Sequence, residues 1–274
     1  MTSGPASPDR RFPVVSVDLW DTVLGVGDRA AATAWRVAEF ARVLAEFSHR
    51  IRDETLAAVV RAVADDHARR QRHTGWQSTA GSQVTDILSQ LDITAGPDLL
   101  NVLVTVHTHA RLRACPEPVP GTVQALAPLR SAGHTVVLSS NTLTCPGEVT
   151  RRILDYHELT PLFDHLCFSD EIGVAKPHPD FFAAVAAAAA AAPGDILHVG
   201  DDWRTDVDGA VHAGCSAVWF NPTGKPRPET GQPGAVVVAE LDDIAVLPSL
   251  AAGMPAIPAQ QGAAERPGPA QAPT

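Results

Sequence analysis

The sequence predicts an α/β fold: a Rossmann-like parallel sheet core with helices on both faces, interrupted by an inserted all-helical segment. Two observations support this prediction. From about residue 114 onwards, short apolar segments of strand type alternate with segments of helical periodicity. One earlier strand segment, near residue 14, precedes a long stretch with helical periodicity. Such alternation is typical of a parallel sheet, because two parallel strands can be joined only by a long crossover connection.

The first predicted strand covers residues 14–17 and ends at Asp18, where an apolar run gives way to a polar turn. A long helix is expected to begin near Asp28. Apolar residues then recur at helical spacing in four successive groups, which predicts a four-helix module between about 28 and 113. The predicted buried face of the first helix consists of Val37, Phe40, Ala41, Leu44 and Phe47.

Prolines at positions 116, 118 and 120 end this module, and strands then alternate with helices. The predicted helices lie at 122–132, 148–156, 183–192 and 206–213. The predicted strands lie at 135–138, 166–168, 196–199 and 217–220, with an edge strand at 236–238. The helix at 183–192 is predicted from a run rich in alanine, the residue with the highest helix propensity.

These elements predict a discontinuous α/β core made of residues 13–27 and 114–247, with an all-helical cap at 28–113 inserted into it. The N-terminal residues 1–12 are polar and contain proline. The segment 248–274 is rich in alanine, proline, glycine and glutamine. Both ends are expected to be disordered, because such sequences bury too little apolar surface to offset the entropy of ordering.

The composition limits the possible functions. The 274 residues include 21 basic and 31 acidic side chains, a net charge of −10, which argues against a protein that wraps nucleic acid or binds an anionic membrane. The four cysteines have neither metal-site nor disulfide-framework spacing, and no stretch is apolar enough to span a bilayer. We therefore expect a soluble cytoplasmic protein. The sequence does not indicate an oligomeric state.

Polar side chains cluster just after the predicted strands. They are Asp18 with Thr22, Ser140, Lys176, and Asp201 with Asp202 and Asp206. The carboxyl ends of parallel strands meet at one edge of a sheet, so these groups can converge on one site. Structural alternatives exist, because the aspartates could cap helices and Lys176 could be a solvated loop residue. The chain has only one other lysine, Lys225, which favours a chemical role for Lys176.

Four short motifs, in this order, resemble those of the haloacid dehalogenase superfamily over roughly residues 14–222. The motifs are 17–22 (VDLWDT), 138–141 (LSSN), 173–179 (GVAKPHP), and 199–202 (VGDD) followed by Asp206. Each motif alone is a weak signal, but their order and separation together are specific. The resemblance implies a phosphatase-like hydrolase with a helical cap between the first and second motifs, which closes over the site and selects the substrate.

The resemblance also implies roles for individual residues. Asp18 would be the nucleophile that forms an aspartyl-phosphate, which divides one difficult displacement into two. Ser140 would hydrogen-bond a phosphoryl oxygen, and Lys176 would neutralise the phosphate so that Asp18 can approach it. Further phosphate-binding or substrate-binding positions would be Thr22, Asn141 and Asp21.

A Mg²⁺ cofactor follows from the same resemblance, since Mg²⁺ prefers oxygen ligands. Its ligands would be Asp18, the backbone carbonyl of Trp20 and Asp201, with Asp206 or Asp202 in support.

Trp20 departs from the pattern of the phosphatases. These enzymes usually have a second aspartate at this position, which protonates the leaving group and then activates water. Asp21 stands one residue later, but successive side chains leaving a strand point in different directions, so Asp21 is not an automatic replacement. In having an aromatic residue at this position, the sequence also resembles the 2-haloacid dehalogenases of the superfamily. In those enzymes the aspartate displaces halide from carbon without a metal.

The primary prediction is therefore a Mg²⁺-dependent phosphatase acting on a small phosphorylated metabolite. One alternative is a 2-haloacid dehalogenase-like hydrolase that uses Asp18 on carbon. Another is a catalytically attenuated binding protein with the same fold. The three acidic residues of the fourth motif favour the phosphatase, because a metal-free dehalogenase does not need them.

Two other clusters of the predicted cap are interpreted as structural. His107 and His109 are expected to be surface histidines rather than a metal pair, because residues two apart on a helix face different directions. The segment 69–73 (RRQRH) is expected to be a solvated helix end, with help in binding an anionic substrate as the alternative.

Overall fold

The computed structural model describes residues 12–226, 228, 237–241 and 243–248. The predicted disordered ends, 1–12 and 248–274, therefore lie outside the described residues, apart from Phe12 and Pro248. Phe12 is buried against the core and does not fit the predicted disordered end.

In the described part of the chain, six parallel strands form one sheet in the order β3-β2-β1-β4-β5-β6. The strands are β1 (Val14–Val17), β2 (Thr135–Ser140), β3 (His165–Phe168), β4 (Ile196–Gly200), β5 (Ser216–Phe220) and β6 (Val237–Leu241). The parallel α/β fold class is confirmed. The edge strand begins within the predicted segment 236–238 and extends beyond it, while position 236 lies outside the described residues.

Among the described residues, four helices lie in the insertion and five in the core. The insertion contains α1 (Arg29–Glu46), α2 (Asp53–Thr74), α3 (Ala80–Gln90) and α4 (Pro97–His109), with a short 3-10 helix at Ala110–Arg113. The core contains α5 (Thr122–Ser131), α6 (Gly147–Tyr156), α7 (Ser169–Ile172), α8 (Pro179–Ala188) and α9 (Gly209–His212).

The sheet buries a separate apolar cluster on each face. Side chains alternate along β1, so that Val15 and Val17 join one cluster while Val14 joins the other. Helices α5 and α6 pack on the first cluster, and α8 and α9 pack on the second. Burial on both faces is typical of a parallel sheet. The parallel orientation brings the carboxyl ends of the strands to one edge.

The insertion has an apolar core of its own. Asp28 caps α1 by accepting a hydrogen bond from the backbone N–H of Ala31 at 2.8 Å, which fixes the start of the helix close to its predicted position. Phe40 and Leu44 are fully buried, as the periodicity predicts. Phe47 is 41% exposed, because α1 ends at Glu46 and the chain leaves the helical path there.

Two helices differ from their predicted ranges. Helix α8 begins at Pro179, a favoured first residue, and ends at Ala188 although alanine continues to 192. Ala190 has a φ of 50°, and the N–H of Ala191 donates to the Ala186 carbonyl, which closes the helix as a Schellman motif without glycine. The predicted helix 206–213 begins earlier, as a π-helix at Trp203–Asp208.

The insertion docks on the core around Gly75. The N–H of Ala175 donates to the Gly75 carbonyl at 2.9 Å, and Gly75 has a φ of 71°, in the left-handed region. A Cβ at this position would overlap the Ala175 carbonyl oxygen and the Cβ of His178. The Gln71 amide also donates to the Thr142 carbonyl at 2.9 Å. Two loops of the core, one at Thr142 and one at 175–178, therefore contact the end of α2.

Gly75→Ala is expected to lower the unfolding free energy by about 1 to 3 kcal/mol, because it combines an unfavourable φ with a backbone overlap. The measurement is a thermal or chemical denaturation curve. Gly96→Ala is the matched control, since Gly96 has a φ of −73° and an added Cβ there would meet no atom within 4 Å. Equal stability of the two variants would contradict this account of the docking contact.

Within the part of the chain that the structure describes, no helix has both the length and the apolar character that crossing a membrane requires.

Candidate active site

Lys176 lies at the centre of the site. Its side chain is 1% exposed, and its ammonium donates to Asp18 Oδ1 at 2.6 Å, Asp206 Oδ1 at 2.7 Å and the Ser139 carbonyl at 2.8 Å. The alternative of a solvated loop lysine is therefore wrong. Burial disfavours the charged form, but the two carboxylates outweigh burial and raise the pKa of Lys176, so the ammonium stays charged.

Three carboxylates lie together at the strand ends, and two of them, Asp18 and Asp206, accept from this ammonium. Asp18 follows β1, Asp201 follows β4, and Asp206 lies in the π-helix; one oxygen of each lies within 4.8 Å of the others. Burial and the adjacent carboxylates raise the pKa of Asp18, even though Lys176 acts in the opposite direction. Burial and the charge of Asp206 raise the pKa of Asp201 to about 7. Asp18 and Asp201 therefore bind protons more readily than ordinary carboxyls, because one ammonium does not offset three adjacent carboxylates.

Local backbone structure fixes Asp206. Burial alone would raise its pKa, but the Lys176 ammonium holds the pKa well below its usual range, so Asp206 stays ionised. The N–H of Asp202 donates to Asp206 Oδ2 at 3.0 Å. Gly200, at the end of β4, permits this approach, because a Cβ there would overlap the Asp206 carboxylate.

Asp202 is not part of the carboxylate cluster. Its side chain caps the π-helix by accepting from the N–H groups of Arg204 and Thr205, at 2.9 and 3.0 Å. It also forms an ion pair of 2.9 Å with Arg72 at the end of α2. Of the two supporting positions considered from the sequence, the structure thus brings Asp206 to the cluster, whereas Asp202 connects the core to the insertion.

A buried polar network behind the cluster was not found in the sequence. Ser16 Oγ lies 2.6 Å from Ser139 Oγ and 2.9 Å from His198 Nδ1, and His198 Nε2 lies 3.4 Å from Asp206 Oδ1. Ser139, Ser16 and His198 lie on the neighbouring strands β2, β1 and β4. The network therefore helps to hold the Asp206 carboxylate from the sheet side. The available signal was the polar residues Ser16 and His198 within apolar strands.

Three predicted phosphate-site or substrate-site residues are largely or wholly buried. Ser140 is fully buried, and its hydroxyl donates to the Asn141 carbonyl at 3.3 Å. The Asn141 side chain donates to the Lys176 carbonyl and accepts from the Lys176 N–H, so it positions the loop that carries the lysine. Thr22 is fully buried away from the cavity described below, and its hydroxyl has no hydrogen-bond partner among the described residues.

The two remaining predicted positions, Trp20 and Asp21, face open space. Both line the cavity above Asp18. Asp21 has a φ of 60°, and its N–H donates to the Leu24 carbonyl, so the chain turns sharply after Trp20. The guanidinium of Arg111 lies over the Trp20 ring, with its Cζ 4.6 Å from the ring centroid.

A cavity of about 480 Å³ lies between the insertion and the strand ends. Its core side carries Asp18 and the neighbouring acidic residues, whereas five arginines line it from the insertion. These arginines are Arg29, Arg36, Arg61, Arg72 and Arg111. A second cavity, of about 810 Å³, borders Asp21 and Asp201 without reaching Asp18, so the smaller cavity is the candidate substrate site.

The two structural interpretations made for the insertion are partly wrong. His107 is 2% exposed rather than on the surface, and its Nε2 lies 3.0 Å from the Gln83 side-chain oxygen. Burial lowers the pKa of His107 to about 3, so the ring is neutral. In the segment 69–73, Arg72 belongs to the cavity wall, although it is paired with Asp202.

The parallel α/β core places a buried lysine and a carboxylate cluster at its strand ends, where the motifs predict a hydrolase site. A family model described as haloacid dehalogenase-like hydrolase matches residues 12–214. The chain belongs to this family.

Individual relatives agree with this assignment. The chain is 30% identical over 136 residues to a glyceraldehyde 3-phosphate phosphatase from Pyrococcus furiosus, covering 49% of this chain and 54% of that protein. It is 34% identical over 131 residues to a phosphoglycolate phosphatase from Caulobacter vibrioides, covering 47% of this chain and 52% of that protein. The chain thus spans about half the length of these curated relatives.

Among solved structures, the fold resembles that of a 2-haloacid dehalogenase from Pseudomonas syringae. The TM-score is 0.62 at 22% identity, and the match covers 87% of this chain and 97% of the other. At this level of identity the likeness concerns the fold alone.

Proposed function

We propose that the protein is a Mg²⁺-dependent phosphatase that removes phosphate from a small phosphorylated metabolite through an aspartyl-phosphate on Asp18. The observation that carries the proposal is the position of the Lys176 ammonium between Asp18 and Asp206, with Asp201 within 4.8 Å of both carboxylates. The phosphatase relatives support the same reaction, since hydrolysis of phosphate esters is what their names describe.

The chemistry of this arrangement follows from charge. A carboxylate that attacks a phosphate monoester must approach another anion, and a fixed ammonium beside both groups lowers that repulsion. Lys176 is held by three acceptors, so it needs little reorganisation when phosphate arrives. Asp18 then forms a bond to phosphorus while the leaving oxygen departs, and water later releases the phosphate.

The donor set fits Mg²⁺, which is bound by carboxylate and carbonyl oxygens and keeps several waters. Asp18, Asp201 and Asp206 offer such oxygens within 4.8 Å of one another, and a cation bound there would offset the repulsion that raises the pKa of Asp18. The Trp20 backbone carbonyl is a further ligand by family resemblance. When bound, Mg²⁺ would neutralise charge on the transferring phosphoryl group.

The leaving group lacks the usual proton donor, because Trp20 stands where the phosphatases have an aspartate. Asp21 lines the cavity and is the acidic side chain nearest in sequence to that position. General acid catalysis is commonly worth about 10²- to 10⁴-fold, so we expect a preference for esters with good leaving groups. Aryl phosphates should therefore be hydrolysed faster than simple alkyl phosphates.

The helical insertion acts as a cap in this proposal. It supplies one wall of the cavity and contacts the core through Gly75 and the Arg72–Asp202 ion pair. Substrate selection is therefore assigned to α1, α2 and the 3-10 helix at 110–113, which face Asp18 across the cavity.

The test is a panel of phosphate esters, with 4-nitrophenyl phosphate as the aryl member, assayed with Mg²⁺ and with a chelator. We expect phosphate release only with Mg²⁺, together with a Mg²⁺-dependent rise in the melting temperature as a readout independent of turnover. Halide release from a 2-haloacid in the presence of chelator would instead establish the dehalogenase alternative. Ligand binding without any turnover would establish the attenuated binding protein.

A further inference from the structure

We propose that the substrate carries a second anionic group besides its phosphate, and that Arg36 and Arg111 bind this group on the cavity wall opposite Asp18. This inference rests on the proposed function and names the substrate class of the same site. It comes from two arginines that enter the cavity from the insertion and, among the described residues, have no carboxylate within ion-pair distance.

Arg36 is the more deeply buried of the two. It is 7% exposed and lies on the otherwise apolar face of α1, four residues before the buried Phe40. Its Nε and Nη2 donate to the His107 carbonyl at 3.4 and 3.3 Å, so a neutral oxygen is its hydrogen-bond acceptor. Burial, together with the charge of Arg111, lowers the pKa of Arg36 to about 10, and the guanidinium still carries its charge at pH 7.

Arg111 lies beside Arg36 in the same wall. One of its nitrogens donates to the Val26 carbonyl at 2.9 Å, and its guanidinium stacks on the Trp20 ring. Burial and the nearby Arg29 lower the pKa of Arg111. Cys145 also lines this wall, but burial raises the pKa of its thiol, so it supplies no negative charge. Asp21 attracts Arg111 and Asp65 lines the same cavity, but among the described residues no carboxylate lies within ion-pair distance of Arg36 or Arg111.

Two other arginines of the insertion do have carboxylate partners. Arg42, on the same helix as Arg36, pairs with Glu39 and Glu46. Arg72, in the same cavity, pairs with Asp202. Placing a guanidinium in a partly desolvated wall is costly unless an anion compensates, and a ligand anion would do so with charge-assisted hydrogen bonds.

The contact with Arg111 explains in physical terms why tryptophan stands at position 20. An aspartate at this position would stand beside Arg111 and neutralise it. The aromatic ring instead supports the guanidinium through its π face and leaves the N–H groups that do not bond to Val26 available for a ligand. The cavity volume of about 480 Å³ suits a small metabolite whose phosphate lies at Asp18 and whose second anion lies at the arginines.

The test uses phosphate esters matched except at one terminal group. One pair is 2-phosphoglycolate and 2-hydroxyethyl phosphate, and the other is 3-phosphoglycerate and glycerol 3-phosphate; in each, a carboxylate replaces a hydroxymethyl group. Ethylene glycol bisphosphate distinguishes a second phosphate from a carboxylate. We expect kcat/KM to be at least about tenfold higher for the anionic members, mainly through KM.

Arg36→Gln and Arg111→Gln should each lower kcat/KM for the anionic ester much more than for its uncharged partner. Arg42→Gln is the control, because it lies on α1 outside the cavity and should keep the wild-type preference. Calorimetric binding of 2-phosphoglycolate and 2-hydroxyethyl phosphate to Asp18→Asn protein measures the same preference without turnover. Failure to hydrolyse any ester would overturn the proposed function, whereas equal affinity for both ligands would overturn this inference.

Discussion

Asp18→Asn is expected to lower kcat on 4-nitrophenyl phosphate by at least about 10³-fold, because the amide can neither attack phosphorus nor replace the carboxylate charge. The fold should survive. Asn has nearly the volume of Asp, and the carboxyl it replaces is one whose pKa burial raises, so removing its charge relieves repulsion from Asp201 and Asp206. The measurements are single-turnover kinetics and a melting curve.

The control for this variant is Asp66→Asn, which removes a carboxylate that pairs with Arg69 outside the candidate cavity. It should keep the wild-type rate. Acid-quenched wild-type enzyme should also show a peptide containing Asp18 that is heavier by one phosphoryl group, and the variant should not. If Asp18→Asn retained more than about a tenth of the wild-type rate, the covalent mechanism would be wrong.

The parallel sheet and the position of its strand ends could be predicted because they follow from short-range patterns. Asp18 and Asp201 follow neighbouring apolar strands, and β1 pairs with β4 in register from Val14 to Val17. Parallel pairing brings the ends of both strands to one edge, so the meeting of these carboxylates follows from order along the chain alone. Lys176 lies in a loop rather than directly after a strand, so this argument does not place it. The scarcity of lysine in the sequence was the stronger signal for its role.

The choice between Asp202 and Asp206 could not be made from the sequence, because it depends on the turn after β4. The chain enters a π-helix at Trp203, which places Asp202 as the cap and returns Asp206 against Gly200. Wider helical turns of this kind are rare and leave no clear periodic signal. Asp202 is adjacent to a cluster residue but contacts the insertion instead.

The role of Arg36 and Arg111 in the cavity wall could not be predicted for a different reason. Arg36 occupies a buried position on α1, where Ala32 and Phe40 lie one turn away on either side. A charged residue on an apolar stripe is a usable signal, but the helical periodicity of α1 is defined by its apolar positions alone. Arg111 gave no such signal, because its role depends on contact with Trp20 across about ninety positions of the chain.

Lys176→Met is expected to lower kcat/KM by about 10²- to 10³-fold, comparable to loss of a charge-stabilising donor in other enzymes. It should also destabilise the protein by about 3 to 5 kcal/mol, because Asp18 and Asp206 are left buried without their counter-charge. The measurements are steady-state kinetics and chemical denaturation. Added Mg²⁺ should recover more stability in this variant than in the wild type, since a cation at the carboxylates would replace part of the lost charge.

Lys225→Met is the matched control, because Lys225 is the other lysine of the chain. Its side chain is 59% exposed and its Nζ lies 3.6 Å from Asp201 Oδ2, so its interaction is screened by solvent. We expect a much smaller effect on both rate and stability. If the two variants behaved alike, the buried ammonium would not be the group that holds the carboxylate cluster together. If Lys176→Met lost stability but kept its kcat/KM, Lys176 would position Asp18 and Asp206 without acting on the phosphate.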